Sequence, residues 1–415
     1  MSASDSIVGI DIGTTKICTI VAGFEADSKP TILGVGHVQS RGLRKGKVID
    51  LERTISSIRE SKIQAEQASG TTLDSAYVGV SGSHIRSDIS NGTTAITDPH
   101  RGITLEDTEH VIELAQHADM PKGRRLIDVH VRDYIVDGQV GISDPVGMSG
   151  MRLEANVLLI STSIPEIEDI YRAVNQSGID VENIIISPIA SAEATLSFDE
   201  KESGTAVIDI GGGTTDLAVY RDGGLVHTKI FAIGGDHFDS DLSYGIGMSP
   251  RQAEHLKIKL GGVSDDYLKS DDIIEILREG GERKENLPLK IVAEIIYPRL
   301  EEILVTVFDE IKASGFVGEL PGGVVLTGGT SRMPGITEFS AKIFGMTSRI
   351  GYPRGVHGLP EELKNPIYST AVGLVKLCAE DVVSRAQKQN GLRVNDSIGN
   401  AFKWTKKIIR KYITG

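Results

Sequence analysis

Apolar runs interrupted by glycine and threonine are the most regular pattern in this chain. One run reads IVGIDIGTTKICTIVA (7–22) and another reads AVIDIGGGTTDLAVY (206–220). In each, an apolar strand leads into an Asp-Ile-Gly turn with a Thr-Thr pair, and a second apolar strand follows. That order is typical of a β-hairpin. Two such units predict two domains of similar build that face each other. A third apolar strand, in GGVVLTGGTSRMPGI (322–336), predicts a Gly-Gly turn followed by a helix start.

Helices are predicted between these strands, where apolar residues recur at helical spacing. The predicted helices cover 51–69, 163–178, 249–260, 289–314 and 368–386. Ser163 and Pro165 at the start of the second, and Gly178 at its end, are typical start and stop residues. The alternation of strands and helices predicts an α/β fold with partly parallel sheets.

The stretch after residue 82 breaks this alternation. A strand over 85–96, a helix over 104–117 and a strand over 128–136 precede the turn-rich sequence DPVGMSG (144–150). This pattern predicts a small α+β insertion of about domain size.

Composition limits the functions that fit. The chain has 415 residues, which exceeds one compact core, so at least two domains are expected. Its net charge of −13 argues against a nucleic-acid partner. Cys18 and Cys378 are too few for a metal site and are expected to be buried thiols in a reducing cytosol. No signal peptide is evident, and no apolar run reaches the ~18 residues of a bilayer span, so membrane contact is expected to be peripheral.

The two hairpin turns have the residues that phosphate binding requires. Glycine lets backbone N–H groups approach phosphate oxygens, while hydroxyls and a lysine add donors and charge. The residues are Gly13, Thr14, Thr15 and Lys16 in the first turn, and Gly211, Gly212, Gly213, Thr214 and Thr215 in the second. Asp11 and Asp209 would repel the same phosphates unless Mg²⁺, held through waters, lay between them. A tight turn that needs glycine only for its backbone is the alternative for each turn taken singly.

These turns resemble the phosphate 1, phosphate 2 and adenosine motifs of the actin, Hsp70 and sugar-kinase superfamily, whose two lobes enclose ATP and Mg²⁺. The resemblance makes 11–16 the first motif and 209–215 the second. It implies that Glu254 and Lys257 touch ribose and adenine, with a solvated ion pair as the alternative, and that the Gly234–Gly235 turn lies under the nucleotide. The residues implied to form the adenosine motif are Gly328, Gly329, Thr330 and Met333.

Two further features distinguish one branch of this superfamily. The segments SGSHIRSDISNG (81–92) and DPVGMSGMRLEANVLL (144–159) resemble those that bracket subdomain 1C in the bacterial cell-division FtsA family, where 1C replaces subdomain 1B of actin. The C-terminal helix described below is the second feature. The domains implied are 1–82 with 160–200 as subdomain 1A, 83–159 as 1C, 201–235 with 299–380 as 2A, 236–298 as 2B, 381–397 as a linker and 398–415 as an amphipathic helix.

Residues 398–415 have the periodicity of an amphipathic helix. At about 100° per residue, the apolar stripe includes Phe402, Ile408, Ile409 and Tyr412, with Trp404 at its edge. No acidic residue occurs in the segment, and the cations on the opposite arc are Lys403, Lys406, Lys407, Arg410 and Lys411. Such a helix is typical of attachment to an anionic membrane surface. The alternatives are a helix docked on the protein's own body and a calmodulin-type target.

The resemblance implies an adaptor that polymerises and tethers FtsZ filaments to the inner face of the cytoplasmic membrane at the division site. It implies that subdomain 2B binds the C-terminal tail of FtsZ, through Arg299 and Lys290, for which ordinary solvated charges are the alternative. Other division proteins are further implied partners. A pilus-assembly adaptor and a small-molecule kinase of the same fold are the alternative functions. An Hsp70-type chaperone is excluded because too few residues follow the last predicted helix to form a peptide-binding domain.

ATP hydrolysis is less strongly predicted than ATP binding. Hsp70 and the actin-like protein MreB place a glutamate before the proline of the connecting segment, where it helps to position the attacking water. This chain reads IIISPIASAEATL (184–196), with Ser187 before Pro188 and with Glu193 further along. At most slow ATPase activity is therefore implied, and no catalytic residue is assigned.

Overall fold

The structure is a computed structural model that describes residues 6–23, 29–98, 101–117, 120–277 and 284–389. The helix predicted over 398–415 lies outside these residues. In the first half of the chain the elements are β1 (Ser6–Ile12), β2 (Lys16–Gly23), β3 (Thr31–Gln39), β4 (Leu43–Arg44), β5 (Lys47–Val48), α1 (Leu51–Ser69), β6 (Ser75–Val80), β7 (Ile85–Ala95), α2 (Leu105–Gln116), β8 (Arg124–Val136), β9 (Gln139–Ile142), β10 (Arg152–Ser163), α3 (Ile164–Gln176), β11 (Asp180–Ile186) and α4 (Ser187–Thr195).

The second half follows the same alternation of strands and helices. Its elements are α5 (Phe198–Ser203), β12 (Thr205–Ile210), β13 (Thr215–Arg221), β14 (Gly224–Phe231), α6 (Gly235–Ile246), α7 (Pro250–Leu260), α8 (Asp265–Leu268), β15 (Ile273–Leu277), β16 (Lys284–Pro288), α9 (Leu289–Ala313), β17 (Val324–Thr327), α10 (Ile336–Phe344), β18 (Ser348–Ile350) and α11 (Ser369–Gln389). A 3₁₀ turn over Gly329–Arg332 follows β17.

Both predicted hairpins are present. β1 pairs antiparallel with β2, and β12 pairs antiparallel with β13. Each hairpin belongs to a five-stranded sheet, in the order β11-β6-β1-β2-β3 for the first and β14-β13-β12-β17-β18 for the second. β6 and β11 run parallel to β1, and β17 and β18 run parallel to β12, so the expectation of partly parallel sheets is confirmed.

The two sheets form two lobes with α4 between them. Nearly all of α4 is buried, and its Ser191 donates a hydrogen bond to Asp209 at the end of β12. The second lobe has its own core beneath α6, α7, α9 and α10, with Phe238 and Ile296 fully buried. Within the described residues, no helix is both long and apolar enough to cross a bilayer.

Helix α11 belongs to the first lobe, which corrects the expected division of the chain. Residues 369–380 were predicted to be part of subdomain 2A. Instead, α11 packs on β1 so closely that a Cβ on Gly9 would lie 2.9 Å from the Leu374 Cβ. The chain therefore crosses back to the first lobe before it ends.

The predicted linker also begins later than residue 381. Asp381 is buried and accepts a hydrogen bond from the Tyr77 hydroxyl, and Arg385 pairs with Asp381 at 2.8 Å and with Glu182 at 2.9 Å. These contacts continue the helix to Gln389. Residues 381–385 therefore belong to an ion-paired helix and not to a linker.

The insertion between β6 and α3 forms a separate four-stranded sheet, in the order β7-β10-β8-β9, with α2 on one face. Thr104 and Asp107 form a capping box at the start of α2. The insertion also contacts the second lobe. Ser87 on β7 donates a hydrogen bond to the Thr228 carbonyl on β14, and the Arg132 guanidinium lies 5.3 Å from the Phe316 ring centroid.

Candidate nucleotide site

A cavity of about 520 Å³ opens between the two lobes, where the hairpin turns of β1–β2 and β12–β13 meet. The predicted ligand-binding residues that line it are Asp11, Gly13, Thr14, Thr15, Lys16, Asp209, Gly211, Gly212, Gly213, Thr214, Gly235, Glu254, Lys257, Gly328, Gly329, Thr330 and Met333. Residues from five separate stretches of sequence therefore converge on one cleft.

The two hairpin turns touch across this cleft. A Cβ added to Gly212 would lie 1.8 Å from Thr15 Oγ1, and one added to Gly213 would lie 2.5 Å from Thr14 Oγ1. Both distances are far below van der Waals contact, so only glycine lets the turns approach this closely. The opposed turns place backbone N–H groups and threonine hydroxyls around the same space.

The third predicted turn closes the cavity beside Asp209. Gly328 has a φ of 83°, in the region that favours glycine, and a Cβ there would lie 2.2 Å from Asp209 Oδ1. Thr327, just before it, is fully buried and hydrogen-bonds with Ser369 at 2.7 Å. The turn is therefore held rigidly between β12 and the start of α11.

Lys16 and Asp11 form an ion pair on the floor of the cavity. Burial disfavours the ammonium, but the carboxylates of Asp11 and Asp209 outweigh that effect and raise the pKa of Lys16. Lys16 is thus a fixed positive charge at neutral pH.

Asp209 lies deeper and is held by hydroxyl groups. Its Oδ2 accepts hydrogen bonds from Ser191 at 2.5 Å and from Thr370 at 3.3 Å. Burial raises the pKa of Asp209. The two donors come from α4 and α11, so this carboxylate joins both lobes at the base of the cleft.

Asp216 is a site residue that sequence reasoning missed, although it ends the GGGTTD run in an otherwise apolar strand. It lines the cavity, and its Oδ1 accepts a 2.8 Å hydrogen bond from Ser81 in the opposite lobe. Burial, together with the charge of Asp209, raises the pKa of Asp216 to about 8. Ser81 and Thr370 carry no comparable sequence signal, because only the fold brings them to the cavity.

Helices α6 and α7 form the other end of the cavity. Lys257 pairs with Asp239 on α6 at 2.8 Å and donates to the Gly235 carbonyl at 3.0 Å. The carboxylate partner of Lys257 is therefore Asp239, not Glu254. Glu254 and the largely exposed Ile258 line the cavity beside it.

Two of the predicted ligand-binding residues, Thr215 and Gly234, do not line the cavity, and neither does Glu193, which was given no role. Thr215 is fully buried, and its hydroxyl donates to the Ile233 carbonyl at 2.8 Å. Gly234 is the N-cap residue just before α6, where a Cβ would lie 2.6 Å from the Gly211 carbonyl oxygen. Glu193 is held by Lys201 and Lys376 away from the cleft, whereas Ser187 lines it.

The carboxylates suit an indirectly held cation. Asp11 is paired with Lys16, and Asp209 already accepts two hydroxyl donors. Among the residues that the structure describes, no cluster of three or more acidic, histidine or cysteine side chains has the geometry to ligate a metal directly. Mg²⁺ held through waters and through a ligand's own phosphates is compatible with this arrangement.

The two residues expected to bind a partner lie on α9, away from the cavity. Lys290 is exposed near the start of the helix. Arg299 is only 24% exposed and donates to both oxygens of Asp241 on α6, at 2.7 and 3.0 Å, and also pairs with Glu302. Arg299 is therefore engaged within the protein.

Two family models match the chain. The model for cell division protein FtsA matches residues 206–373, and the model for the SHS2 domain inserted in FtsA matches residues 82–161. The second match covers the four-stranded insertion described above.

Solved structures of low sequence identity share the fold. They include a PilM–PilN type IV pilus biogenesis complex (15% identity, TM-score 0.65, covering 90% of this chain and 98% of that chain). MreB5 of Spiroplasma citri bound to ADP is another (14% identity, TM-score 0.58, 93% of this chain and 99% of that one). The fold is therefore actin-like.

Relatives of much higher identity are cell division proteins FtsA. The Pseudomonas aeruginosa protein is 38% identical, covering 89% of this chain and 88% of the relative. The Bacillus subtilis protein is 36% identical, covering 94% of this chain and 87% of the relative. The Escherichia coli protein is 34% identical, covering 98% of this chain and 97% of the relative. Identity at this level over nearly the whole length shows that the chain belongs to the bacterial cell division protein FtsA family.

Proposed function

We propose that this protein binds ATP with Mg²⁺ between its lobes, polymerises, and tethers FtsZ filaments to the inner face of the cytoplasmic membrane. Its place in a cell-division family gives the setting. The opposed glycine-threonine turns are the observation on which nucleotide binding rests.

The nucleotide part of the proposal follows from donor geometry. Thr14, Thr15, Gly212 and Gly213 surround one space with N–H and hydroxyl donors, which is the arrangement that a polyphosphate requires. The MreB5 structures of Spiroplasma citri, which share the fold, are bound to ADP and to AMPPNP. Asp11 and Asp209 would hold Mg²⁺ through waters, and the ion would neutralise phosphate charge beside them.

The membrane part of the proposal rests on the sequence of residues 398–415. Five cations without an acidic residue would contribute roughly 1 kcal/mol each near anionic lipid. Burial of the apolar stripe adds about 25 cal/mol per Å². Ordering the helix and immobilising the protein oppose both contributions. A single copy should therefore bind reversibly, and a filament with many copies should bind firmly.

The partner part of the proposal places the C-terminal tail of FtsZ on the surface that joins α6 and α9. Tyr244 on α6 is 93% exposed, Lys290 on α9 is an exposed cation, and Arg299 would become available where an acidic group of the partner displaces Asp241. A large exposed aromatic ring and cations on two helices that pack together suit an extended peptide with apolar and acidic side chains. Self-association of the body would present many such surfaces along one membrane-bound filament.

One pair of substitutions tests nucleotide binding. Gly212→Ala adds a methyl group that overlaps Thr15 Oγ1, so it should force the turns apart and lower ATP affinity at least tenfold by calorimetry. The double variant Gly212→Ala with Thr15→Ala removes the overlapping hydroxyl and should recover part of the loss. If both variants bind Mg-ATP as tightly as the unmodified protein, the opposed turns are not the phosphate site.

Deletion of residues 398–415 tests membrane attachment. The truncated protein should keep its ATP affinity but fail to co-sediment with vesicles that contain anionic lipid. Vesicles of neutral lipid serve as the control for charge. A truncated protein that still pellets with anionic vesicles as fully as the intact chain would rule out this segment as the anchor.

A further inference from the structure

A short basic hairpin, β4–β5, lies against the mouth of the cavity. Its turn residues are Lys45 and Gly46. Gly46 lines the cavity, and its N–H donates to Thr14 Oγ1 at 3.1 Å. A Cβ on Gly46 would lie 1.8 Å from the Ser81 carbonyl oxygen. The turn is therefore held against two residues at the hairpin end of the cavity.

The backbone at Lys45 is unusual for lysine. Its φ is 51°, and the other non-glycine residues with positive φ in the described part of the chain are Asp137 and Asp222, at 49° and 50°. All three begin two-residue turns that continue into glycine. Aspartate, asparagine and glycine suit this position, whereas lysine is disfavoured. The turn alone therefore does not account for lysine at residue 45.

The charges around the cavity offer a reason for a lysine at residue 45. Lys16 and Lys257 are already paired with Asp11 and Asp239, and the other lysine or arginine that lines the cavity is the exposed Arg332, in the 3₁₀ turn after β17. The carboxylates that line the cavity are Asp11, Asp209, Asp216, Asp236 and Glu254. Lys45 is half-buried, and no carboxylate among the described residues forms an ion pair with it.

Lys45 also lies close to the second lobe. His237 is in the first turn of α6, next to the cavity residue Asp236. Burial lowers the pKa of His237, and the charge of Lys45 lowers it further. The Lys45 ammonium is therefore close enough to the first turn of α6 to act on His237. Adenosine contact is assigned to other residues, 328–333 and α7.

Building on the proposed nucleotide site, we propose that Lys45 binds the terminal phosphate of a nucleoside triphosphate and so discriminates ATP from ADP. The hairpin holds Gly46, the residue after Lys45, against Thr14, which in turn meets Gly213. A third phosphate would bring negative charge beside an ammonium that has no other partner there. A diphosphate would leave that interaction unmade.

The experiment compares ATP and ADP binding to the full chain by calorimetry in the presence of Mg²⁺. Lys45→Asn removes the charge but keeps a residue that tolerates positive φ, so folding should be preserved and the melting temperature equal or higher. ATP affinity should fall about tenfold, while ADP affinity should change less than about twofold. Lys45→Arg should keep most of the discrimination. Arg44→Asn, which removes the adjacent exposed cation, is the matched control and should leave both affinities unchanged.

Each outcome separates the two proposals. If the unmodified protein binds neither nucleotide, the proposed function fails. If it binds ATP and Lys45→Asn binds ATP equally well, only the assignment of Lys45 is overturned. Equal losses for ATP and ADP would also overturn it, because they would place Lys45 on a phosphate that both ligands share.

Discussion

The hydroxyl of Ser81, at the end of β6, donates a 2.8 Å hydrogen bond to Oδ1 of Asp216 in the opposite lobe. The Ser81 hydroxyl also lies 3.1 Å from Thr214 Oγ1 in the turn between β12 and β13. Asp216 is only 3% exposed. A buried carboxyl group therefore joins the two lobes beside the proposed phosphate site.

This arrangement predicts a pH-dependent stability that Asp216→Asn removes. The folded-state pKa of Asp216 is about 8, above the ordinary value of 3.8, so the folded protein retains a proton that the unfolded chain releases. The stabilising contribution is complete below about pH 4 and is lost as the pH rises through about 8. Each unit of pKa shift corresponds to about 1.4 kcal/mol in the free energy of unfolding.

Urea unfolding of the nucleotide-free protein from pH 5 to 9 provides the measurement. The free energy of unfolding of the unmodified protein should fall over this range relative to that of Asp216→Asn. Ser90→Ala, which removes a buried hydroxyl bonded to the Ala115 carbonyl within the insertion, is the control and should leave the pH profile unchanged. Parallel profiles for the unmodified protein and Asp216→Asn would contradict a raised pKa.

A second prediction concerns hydrolysis. Ser187 lines the cavity as the first residue of α4, where a glutamate would place a carboxylate beside the phosphates and at a helix N-terminus that favours negative charge. The unmodified protein should hydrolyse ATP well below the common enzyme rate of about 10 s⁻¹, and Ser187→Glu should be faster. Ser187→Gln, whose side chain has the size of glutamate but no charge, should hydrolyse ATP no faster than the unmodified protein. A rapid unmodified enzyme would mean that another group positions the water.

A third prediction concerns the ion pair of Arg299 and Asp241, because an acidic group on the partner tail would compete with Asp241 for the guanidinium. Asp241→Asn should tighten binding of an FtsZ tail peptide severalfold, and Arg299→Gln should weaken it by a similar factor. Lys312→Gln, at the far end of α9, is the control. Fluorescence anisotropy of a labelled peptide gives the affinities. If both changes lower only the melting temperature, Arg299 is a structural residue.

The last prediction separates charge from insertion in the C-terminal segment. Lys407→Glu with Arg410→Glu should reduce binding to anionic vesicles and make the remainder less sensitive to salt, because attraction is replaced by repulsion. Trp404→Glu should abolish binding to all vesicles, because a charge at the apolar boundary is costly to bury. Co-sedimentation at low and high salt measures both effects. Equal loss with equal salt dependence in the two variants would argue against two separate contributions.

The sequence predicted local features well because they depend on local chemistry. The hairpins at 7–22 and 206–220 follow from apolar strands around glycine-rich turns, and α1 has the predicted bounds, since Asp50 caps its start and Gly70 ends it in the left-handed conformation. The turns of both hairpins line the cavity, as their clustered glycine and threonine residues suggested, and phosphate binding by them stays a prediction.

Features that depend on packing between distant segments were not predicted. Thr215 looked like a phosphate ligand, but strand alternation turns its hydroxyl into the core, towards the Ile233 carbonyl. The partners of Lys257 and Arg299 lie on α6, and nothing in either sequence neighbourhood identifies them. The family resemblance placed residues 369–380 with the second lobe, and the periodicity of α11 could not correct this, because an apolar face does not show which sheet covers it.

The return of α11 to the first lobe has a mechanical consequence. Tyr77 and Arg385 fix the last described turns of that helix to the first sheet, whereas Arg299 belongs to the second lobe. Under the proposed function, a membrane anchor after α11 and an FtsZ filament bound at α9 would therefore apply force to opposite lobes of the cleft. Any rotation of one lobe against the other would then act as a lever, exerting torque between the bilayer and the filament. Tension between the membrane and the filament would in turn favour one angle between the two lobes.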